Sequence, residues 1–358
     1  MGREQFDYII VGTGIAGVTL ATHLHKAGKR VLLFSGTQKN VSSYVAAGLY
    51  NPVTGRKMVK TWKADQLFPY LEDYYRNCEE LSGKKFLHQN EIYRPFVDVE
   101  EQNEWMGKST ETVYSDFIQK VYTQPTTNQV NDPYGGLLLN LAGYLDIPEY
   151  IEGMMAFLSD NHTIVNDDFK YNKLVQGEDS VYYGAYQAKG IIFCEGIGLN
   201  NNPYFDWLPL RPVKGEILYI KSEFEPDYIL NRGVFVLPIG DGIYKVGSTY
   251  DHHDQILEPT EKAKNQILEK LDLIFNEKYE IVDHIAGIRP ATKDRRPFVG
   301  IHPKHETIGV FNGLGTKGVS LAPYWAQHLV QFLEHNEKLS DEVNISRYFS
   351  LYSESHAS

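Results

Sequence analysis

The sequence has little of several features that define special classes of protein. Its 358 residues include two cysteines, Cys78 and Cys194, which form no CxxC or metal-ligand spacing. This argues against a disulfide framework and favours a reducing compartment. A basic leader at the amino terminus and apolar runs of membrane-spanning length are also absent. We therefore expect a cytoplasmic protein with no membrane partner and no metal site.

Positive charge is scarce as well, since the formal net charge is −11. A chain of this charge has no general attraction to nucleic acid or to anionic membranes. Neither a repeat of fixed period nor a low-complexity segment is visible. What the chain does contain is 42% hydrophobic and 13% aromatic residues, enough for a large core, and its length suggests two structural units.

The clearest pattern lies near the amino terminus. A short apolar run, DYIIVG, precedes a segment of helical spacing, and a second apolar run, RVLLF, follows. This order predicts a strand, a helix and a second strand, with Gly12, Gly14 and Gly17 in a GxGxxG turn and Ile15 and Ala16 opening the helix. In such a turn the glycines permit a tight bend, close approach of a pyrophosphate and close helix–strand packing. The pattern indicates a dinucleotide-binding site.

One expected residue of that site is missing. The second strand of a dinucleotide-binding unit usually ends in an acidic residue that binds a ribose hydroxyl, and here Ser35 stands in that place. A serine hydroxyl offers a single hydrogen bond rather than a charged, bidentate acceptor. What replaces the acid is left open by the sequence.

A small and uncharged stretch, VSSYVAAGLYNP, follows shortly after the second strand. Ser42 and Ser43 offer hydroxyls to phosphate oxygens, while Ala46, Ala47 and Gly48 would keep the backbone close to a flat ligand. The alternative interpretation is a helical turn of small residues that packs on the sheet. Residue types alone do not decide between the two.

Arg289 lies in the segment GIRP. Its guanidinium is planar and permanently charged, a shape that matches a carboxylate, and Pro290 favours an extended backbone at Arg289. The alternative is a surface salt bridge. On this pattern Arg289 is a candidate clamp for a carboxylate substrate.

A second glycine-rich turn, NGLGTKG, ends an apolar run and opens a predicted helix. The candidate ligand-binding residues in this turn are Gly313, Gly315, Thr316, Lys317 and Gly318. The helix would present Leu321, Trp325 and Leu329 on one face, with Pro323 tolerated because it lies in the first turn. Lys317 could add positive charge to the dipole of the helix N-terminus, or it could be a solvated lysine.

These motifs together resemble the D-amino acid oxidase and glycine oxidase family of FAD-dependent oxidoreductases. The similarity is clear over about residues 6–62 and 281–332, with echoes in AKGIIFCEGIG and LRPVKGEILYI. The resemblance implies non-covalently bound FAD, with Gly196 near the adenosine. It also implies that Leu49 and Asn51 lie near the substrate side of the flavin and that Arg289 binds the substrate carboxylate.

The resemblance implies an α/β fold with a discontinuous Rossmann-like FAD-binding domain, which we expect to cover residues 1–85, 141–211 and 281–358. Residues 86–140 and 212–280 would form a mainly antiparallel substrate domain. Within the second insertion, a hairpin is predicted over IGDG. The substrate would bind between the domains.

The function implied is oxidation of the C–N bond of a primary or secondary amine, an amino acid or glycine derivative, by hydride transfer to flavin N5. The partners would be a small amine and an electron acceptor, with O₂ as one candidate. Glycine oxidases have a tyrosine where this chain has Phe235, which suggests a substrate that is larger or that is not a simple amino acid. One alternative is an oxidase of the carboxymethylaminomethyl group of wobble uridine in tRNA; others are a nicotinamide-dependent dehydrogenase and a non-enzymatic flavin-binding module. The sequence leaves the oligomeric state open.

Overall fold

The computed structural model describes residues 3–36, 41–55 and 58–355. Its strands are β1 (Glu4–Val11), β2 (Val31–Phe34), β3 (Leu49–Tyr50), β4 (Val53–Thr54), β5 (Val59–Lys60), β6 (Leu87–Gln89), β7 (Ile92–Pro95), β8 (Ile118–Tyr122), β9 (Gly136–Leu139), β10 (Gly143–Leu145), β11 (Thr163–Val165), β12 (Leu174–Gln176), β13 (Val181–Tyr183), β14 (Tyr186–Phe193), β15 (Leu210–Ser222), β16 (Ile229–Arg232), β17 (Val234–Gly240), β18 (Ile243–Gly247), β19 (Tyr279–Thr292), β20 (Phe298–His302) and β21 (His305–Asn312). Its α-helices are α1 (Ile15–Lys26), α2 (Val41–Val45), α3 (Ala64–Ser82), α4 (Val99–Lys108), α5 (Ile147–Asn161), α6 (Glu261–Leu271), α7 (Gly318–His335) and α8 (Phe349–Ser355). Short 3₁₀ helices occupy Tyr171–Lys173, Gly196–Asn201, Gly315–Lys317 and Ile345–Tyr348.

The first sheet is built around the strand–helix–strand unit that the sequence predicts. Strands β11, β2, β1, β14 and β21 run parallel in that order, and β13, β12 and β20 add antiparallel pairs. Every residue of β2 is apolar and buried, as expected of a strand covered on both faces. The β1–α1–β2 prediction is confirmed.

Helices α1, α3, α5 and α7 pack against one another and make the main core. Leu321, Trp325 and Leu329, predicted to share a helix face, are all buried in this core. No α-helix among the described residues combines the length and the apolar character needed to cross a membrane.

The prediction for Pro323 is wrong. Pro323 is an interior residue of α7, beyond the first turn, where it has no amide to offer the carbonyl of Val319 four residues earlier. The hydroxyl of Tyr75, on α3, donates to that carbonyl oxygen at 3.0 Å. The proline is tolerated because a side chain from a neighbouring helix replaces the missing hydrogen bond.

The second sheet is mainly antiparallel, as predicted, in the order β19–β15–β18–β17–β16–β7–β9–β8. The β16–β7 pair is parallel. β17 and β18 form the predicted hairpin, and Asp241 and Gly242 at its turn have φ of 53° and 69°, the left-handed values that an Asp-Gly turn favours. The molecule therefore has the α/β class expected from its sequence.

Two long strands cross the boundaries expected between the domains. β15 pairs with β19 from Leu210 to Ser222, so the expected boundaries at 211/212 and 280/281 fall inside one continuous antiparallel pair. β19 also contacts α2, the short helix that comes after β2 in the chain. The division into two domains stays a prediction, but β19 is the element that joins the antiparallel sheet to the nucleotide-binding turn.

Candidate cofactor and substrate site

The turn after β1 brings separate pieces of backbone close together. Gly12 has φ of +102°, and a Cβ on it would lie 2.5 Å from the carbonyl oxygen of Cys194. A Cβ on Gly17 would lie 1.8 Å from the carbonyl oxygen of Gly12. Neither position accepts a side chain unless the backbone moves. This is the steric requirement that the GxGxxG pattern predicts.

The N-terminus of α1 is open to an anion. Gly14 is its N-cap residue and has no side chain to cap the helix, and the first turn of the helix has no acidic residue. Ser43 Oγ accepts a hydrogen bond from the Ile15 amide at 3.3 Å, whereas the Ser42 hydroxyl donates to the Ile288 carbonyl on β19. Ser42 thus ties α2 to the second sheet, and the other first-turn amides of α1 can bind phosphate oxygens.

Two cavities adjoin at Arg289 and Thr316, and the smaller of them reaches this turn. The smaller, of about 90 Å³, is lined by predicted cofactor-binding residues from distant parts of the chain: Gly14, Ile15, Ala16, Ser42, Ser43, Ala46, Gly196, Gly315, Thr316 and Gly318. The larger, of about 1180 Å³, is lined by the predicted residues Ala47, Leu49, Asn51 and Lys317. Arg289 and Thr316 line both cavities. The fold therefore brings the candidate cofactor residues and the candidate substrate residues together.

Some predicted residues lie behind the cavity walls. Besides Gly12 and Gly17, these are Gly48 and Gly313, with φ of +74° and +73°. A Cβ on Gly48 would lie 1.9 Å from the carbonyl oxygen of Leu145, and one on Gly313 would lie 2.5 Å from Thr292 Cγ2. The structure thus gives these glycines a steric role, in shaping the turns.

Ser35, in the place of the missing acid, pairs with another hydroxyl. Its Oγ lies 2.9 Å from Thr13 Oγ1. A carboxylate comes near from elsewhere, because a Cβ built on Gly36 would lie 2.9 Å from Asp168 Oδ1. Asp168 follows β11, which pairs with β2. Sequence reasoning missed Asp168 because it considered only the end of the second strand.

Arg289, on β19, is held by the segment after β18. Its Nη2 donates to Ser248 Oγ at 2.7 Å, its Nη1 donates to the Thr249 carbonyl at 3.2 Å, and the guanidinium lies 4.8 Å from the centre of the Tyr250 ring. Burial lowers the pKa of Arg289, yet a guanidinium remains charged near neutral pH. Within the described part of the chain, no carboxylate pairs with Arg289. Its charge is therefore available to an anionic ligand that enters the cavity.

Gly215 makes room for this arginine. It lies on β15, the neighbour of β19. A Cβ on Gly215 would lie between 2.0 and 2.2 Å from three guanidinium atoms of Arg289. Sequence reasoning missed this role, although a glycine inside a strand is a known sign that another group approaches closely.

Lys214 is a buried residue within β15. Its Nζ donates to Asp254 Oδ2 at 2.7 Å and to the Glu258 carbonyl at 2.6 Å. Those partners belong to the segment that continues from Ser248 and Thr249. Lys214 therefore anchors the loop that holds Arg289.

Lys317 comes directly before α7 and reaches two threonines. Its Nζ lies 3.2 Å from Thr61 Oγ1 and 3.4 Å from Thr54 Oγ1. Burial, together with Arg295 and Arg296, lowers the pKa of Lys317 to about 8. The side chain is thus a partly buried cation at the cavity wall, and the solvated alternative does not describe it.

Position 235, where glycine oxidases have a tyrosine, is a phenylalanine in this chain. Phe235, on β17, is 9% exposed and lines the wall of the larger cavity.

His252 and His253 are consecutive residues in the loop after β18. The described residues contain no group of three or more His, Cys, Asp or Glu side chains that could hold a metal ion.

Comparison with known proteins assigns this arrangement to a family. The model of the family described as "FAD dependent oxidoreductase" (DAO) matches residues 7–332. Glycine oxidase of Pseudomonas aeruginosa is 24% identical and aligns with 93% of this chain and 96% of its own. The bifunctional protein of tRNA 5-methylaminomethyl-2-thiouridine biosynthesis from Legionella pneumophila is 25% identical, with 84% of this chain aligned to 46% of that protein. The crystal structure of glycine oxidase from Geobacillus kaustophilus superposes with a TM-score of 0.77, at 17% identity, over 96% of this chain and 98% of that one.

The chain belongs to the family of FAD-dependent oxidoreductases, and it is a flavoenzyme. The family assignment supports FAD and gives no support to a nicotinamide-dependent dehydrogenase or to a non-enzymatic module. The residues present fit the cofactor. The open N-terminus of α1 would hold the pyrophosphate, and the small side chains of α2 and of the turn before α7 leave space for a flat ring.

Proposed function

We propose that this enzyme oxidises the C–N bond of a primary or secondary amine that carries a carboxylate, either an amino acid or a glycine derivative. The observation that carries the proposal is Arg289, a guanidinium with no carboxylate partner among the residues that the structure describes, in the wall shared by the two cavities. A planar fork of this kind binds a carboxylate through two parallel hydrogen bonds. Its place beside the cofactor-binding turn favours a substrate held by its carboxylate.

The protein's part in the reaction is to bind and orient. Arg289 would fix the carboxylate, and the bonds from Ser248 and Thr249 would keep the guanidinium in one orientation. When bound, FAD supplies the acceptor for the hydride that leaves the α-carbon. The nitrogen lone pair then forms a C=N bond, and water hydrolyses the imine to an oxo-acid and an amine. The two electrons pass to a second substrate, for which O₂ is a candidate.

Lys317 would contribute positive charge at the N-terminus of α7. A partly buried cation and a helix N-terminus both favour negative charge nearby. Phe235 supplies no hydroxyl to a carboxylate, so Arg289 would carry more of the substrate's binding energy here than its counterpart does where a tyrosine assists. This makes Arg289 the residue to test.

The test uses the purified yellow holoenzyme without oxygen. Glycine, sarcosine and a panel of D-amino acids are added, and bleaching of the flavin absorption band is followed. We expect at least one of these amines to reduce the flavin. Arg289→Leu should keep the colour and raise KM by about 100-fold, the cost of removing one partner of a buried charge pair. Arg289→Lys should recover part of the loss, since it restores charge without the fork.

The exposed Arg211, on β15, gives a matched control, and Arg211→Leu should leave KM unchanged. An unchanged KM in Arg289→Leu would remove Arg289 from the substrate site. Failure of every amine to bleach the flavin would contradict the proposed reaction.

The tRNA-modifying oxidase remains the competing proposal. Its support is the similarity to the Legionella pneumophila protein, of which this chain spans about half the length. The net charge of −11 counts against a polyanionic substrate. Bleaching of the flavin by carboxymethylaminomethyl-modified tRNA, and by none of the free amines, would decide for the tRNA-modifying oxidase.

Cytoplasm stays the proposed compartment, supported by two free, buried cysteines.

A further inference from the structure

A tyrosine that the sequence did not single out, Tyr250, contacts Arg289 in the wall of the larger cavity. Tyr250 lies in the loop after β18, and its ring centre is 4.8 Å from the Arg289 guanidinium carbon. This distance is within the range of a cation–π contact. The side chain is nevertheless 64% exposed, and it lines the cavity. Tyr250 therefore contributes little to the core and presents its surface to whatever enters the cavity.

The backbone on both sides of Tyr250 is fixed to β15. On one side, the hydroxyl of Thr249 accepts a hydrogen bond from the Glu216 amide at 3.0 Å. On the other side, Asp251 exchanges two backbone bonds with Lys214, at 2.8 and 2.9 Å. An exposed side chain whose neighbours are held in this way keeps its position when a ligand arrives. Tyr250 is thus preorganised for contact with a ligand.

Side chains point in two alternating directions along this segment. Ser248 and Tyr250 both contact the Arg289 guanidinium. Thr249, between them, directs its hydroxyl to the Glu216 amide instead. This period of two is the pattern of an extended chain. The segment therefore turns one side toward Arg289 and the cavity, and the other side toward the bonds that fasten it to β15.

The hydrogen-bonding capacity of Arg289 and of a carboxylate leaves a place for a further donor. Ser248 and Thr249 accept two of the N–H groups of the guanidinium, and the remaining N–H groups can bind a ligand. A carboxylate that accepts two parallel bonds from a guanidinium keeps lone pairs that those bonds do not fill. Tyr250 brings a hydroxyl to the wall beside the guanidinium, whereas Phe235, in the same wall, has none.

We propose that the hydroxyl of Tyr250 donates a hydrogen bond to the substrate carboxylate that Arg289 binds. Tyr250 is then a second substrate-binding residue, supplied by the loop after β18. Its ring, packed against the guanidinium, keeps water from one side of the ion pair, and charge-assisted bonds are stronger where water is excluded. This inference rests on the proposed function, in which Arg289 binds the carboxylate.

The experiment measures carboxylate binding to the holoenzyme and to Tyr250→Phe, which keeps the ring and removes only the hydroxyl. Acetate, propionate and benzoate are titrated against the flavin absorption spectrum, which requires no turnover. We expect the apparent Kd to rise by about 10-fold or more in the variant, since hydrogen bonds to charged groups have this strength. Flavin content and the thermal unfolding temperature should stay unchanged. Tyr134→Phe, at an exposed tyrosine outside the cavity lining, is the matched control.

Kinetics with the best amine substrate separates this inference from the proposed reaction. Tyr250→Phe should raise KM by the same factor and leave kcat unchanged, because the bond is made in the ground state and in the transition state alike. Weaker carboxylate binding in Tyr250→Phe supports the inference even if no amine is oxidised. An amine that reduces the flavin with equal KM in both proteins would overturn the inference and leave the proposed function standing. A loss of carboxylate binding in Tyr250→Leu but not in Tyr250→Phe would also overturn it, because binding would then depend on the ring alone.

Discussion

The parallel sheet and the antiparallel sheet contribute to the cavities in different ways. The parallel sheet supplies two contiguous turns, Gly12–Gly17 and Gly313–Gly318, each of which follows a strand and opens a helix. The antiparallel sheet supplies single residues from separate strands, such as Arg94, Phe235 and Arg289. The first set acts through backbone and helix N-termini, whereas the second acts through side chains. Each turn of the candidate cofactor site is therefore one contiguous stretch of sequence, although the turns lie far apart in the chain, whereas the candidate substrate site is assembled from single residues.

The difference teaches that the same substitution should have different effects in the two sheets. Gly17 faces backbone, which cannot move without distorting the turn. Gly215 faces the end of a flexible arginine side chain, which can move alone. Glycine-to-alanine changes at these two positions test whether cofactor binding and substrate binding are separable.

The largest effect is expected for Gly17→Ala. The new Cβ would lie 1.8 Å from the Gly12 carbonyl oxygen, so α1 must move away from the turn that would hold the pyrophosphate. We expect an unfolding free energy lower by about 1–3 kcal/mol, the usual cost of overpacking, and protein purified largely without FAD. The ratio of absorbance at the flavin band to that at the protein band, with thermal unfolding, measures both.

An intermediate effect is expected for Gly215→Ala. The Arg289 guanidinium must leave its position and lose its bonds to Ser248 and Thr249. The flavin content should be normal, and KM should rise by about 10-fold or more, because hydrogen bonds to a charged group are worth about 1.5–3 kcal/mol. Steady-state kinetics with the best amine substrate checks this.

Gly107, on α4, is the matched control for both changes, because a Cβ there meets no atom within 4 Å. Gly107→Ala should leave colour and KM unchanged and should raise stability by up to about 1 kcal/mol. Loss of FAD in Gly215→Ala, or full FAD occupancy in Gly17→Ala, would show that cofactor binding and substrate binding are not divided between the two sheets.

A pH dependence of stability is expected from Lys317, in the wall of the larger cavity, and is tested with Lys317→Met. Its pKa falls from 10.5 in the unfolded chain to about 8 in the folded one. Below about pH 8 the lysine is charged in both states, and the folded state bears the full desolvation cost. Between the two pKa values only the unfolded state keeps the proton, so this group's contribution to stability rises with pH.

Lys317→Met removes that cost. At about pH 7 the variant should be more stable than the wild type by at most about 2–3 kcal/mol, and the gain should vanish as the pH approaches 10.5. Thermal unfolding of both proteins across this range gives the difference, with the exposed Lys293→Met as control. A difference in stability that does not change with pH would contradict the desolvation of Lys317.

Sequence reasoning succeeded where a short stretch specifies its own geometry. The β1–α1–β2 unit, the Asp241–Gly242 hairpin and the buried face of α7 all follow from local spacing, and all are present. It failed for Pro323, whose tolerance depends on Tyr75 from another helix. Asp168 was missed for a similar reason, since it comes near Ser35 and Gly36 only because β11 pairs with β2.

The sequence by itself determined the nucleotide-binding turn, the strands and helix beside it and the family, because glycine spacing and hydrophobic period act within a few residues. Only the tertiary structure decided that Gly215 leaves space for Arg289, that Lys214 anchors the loop which holds it, and that Arg94 lines the same cavity. These contacts join residues on strands that lie far apart in the chain. The strands come together through the packing of the whole antiparallel sheet, which no local sequence pattern encodes.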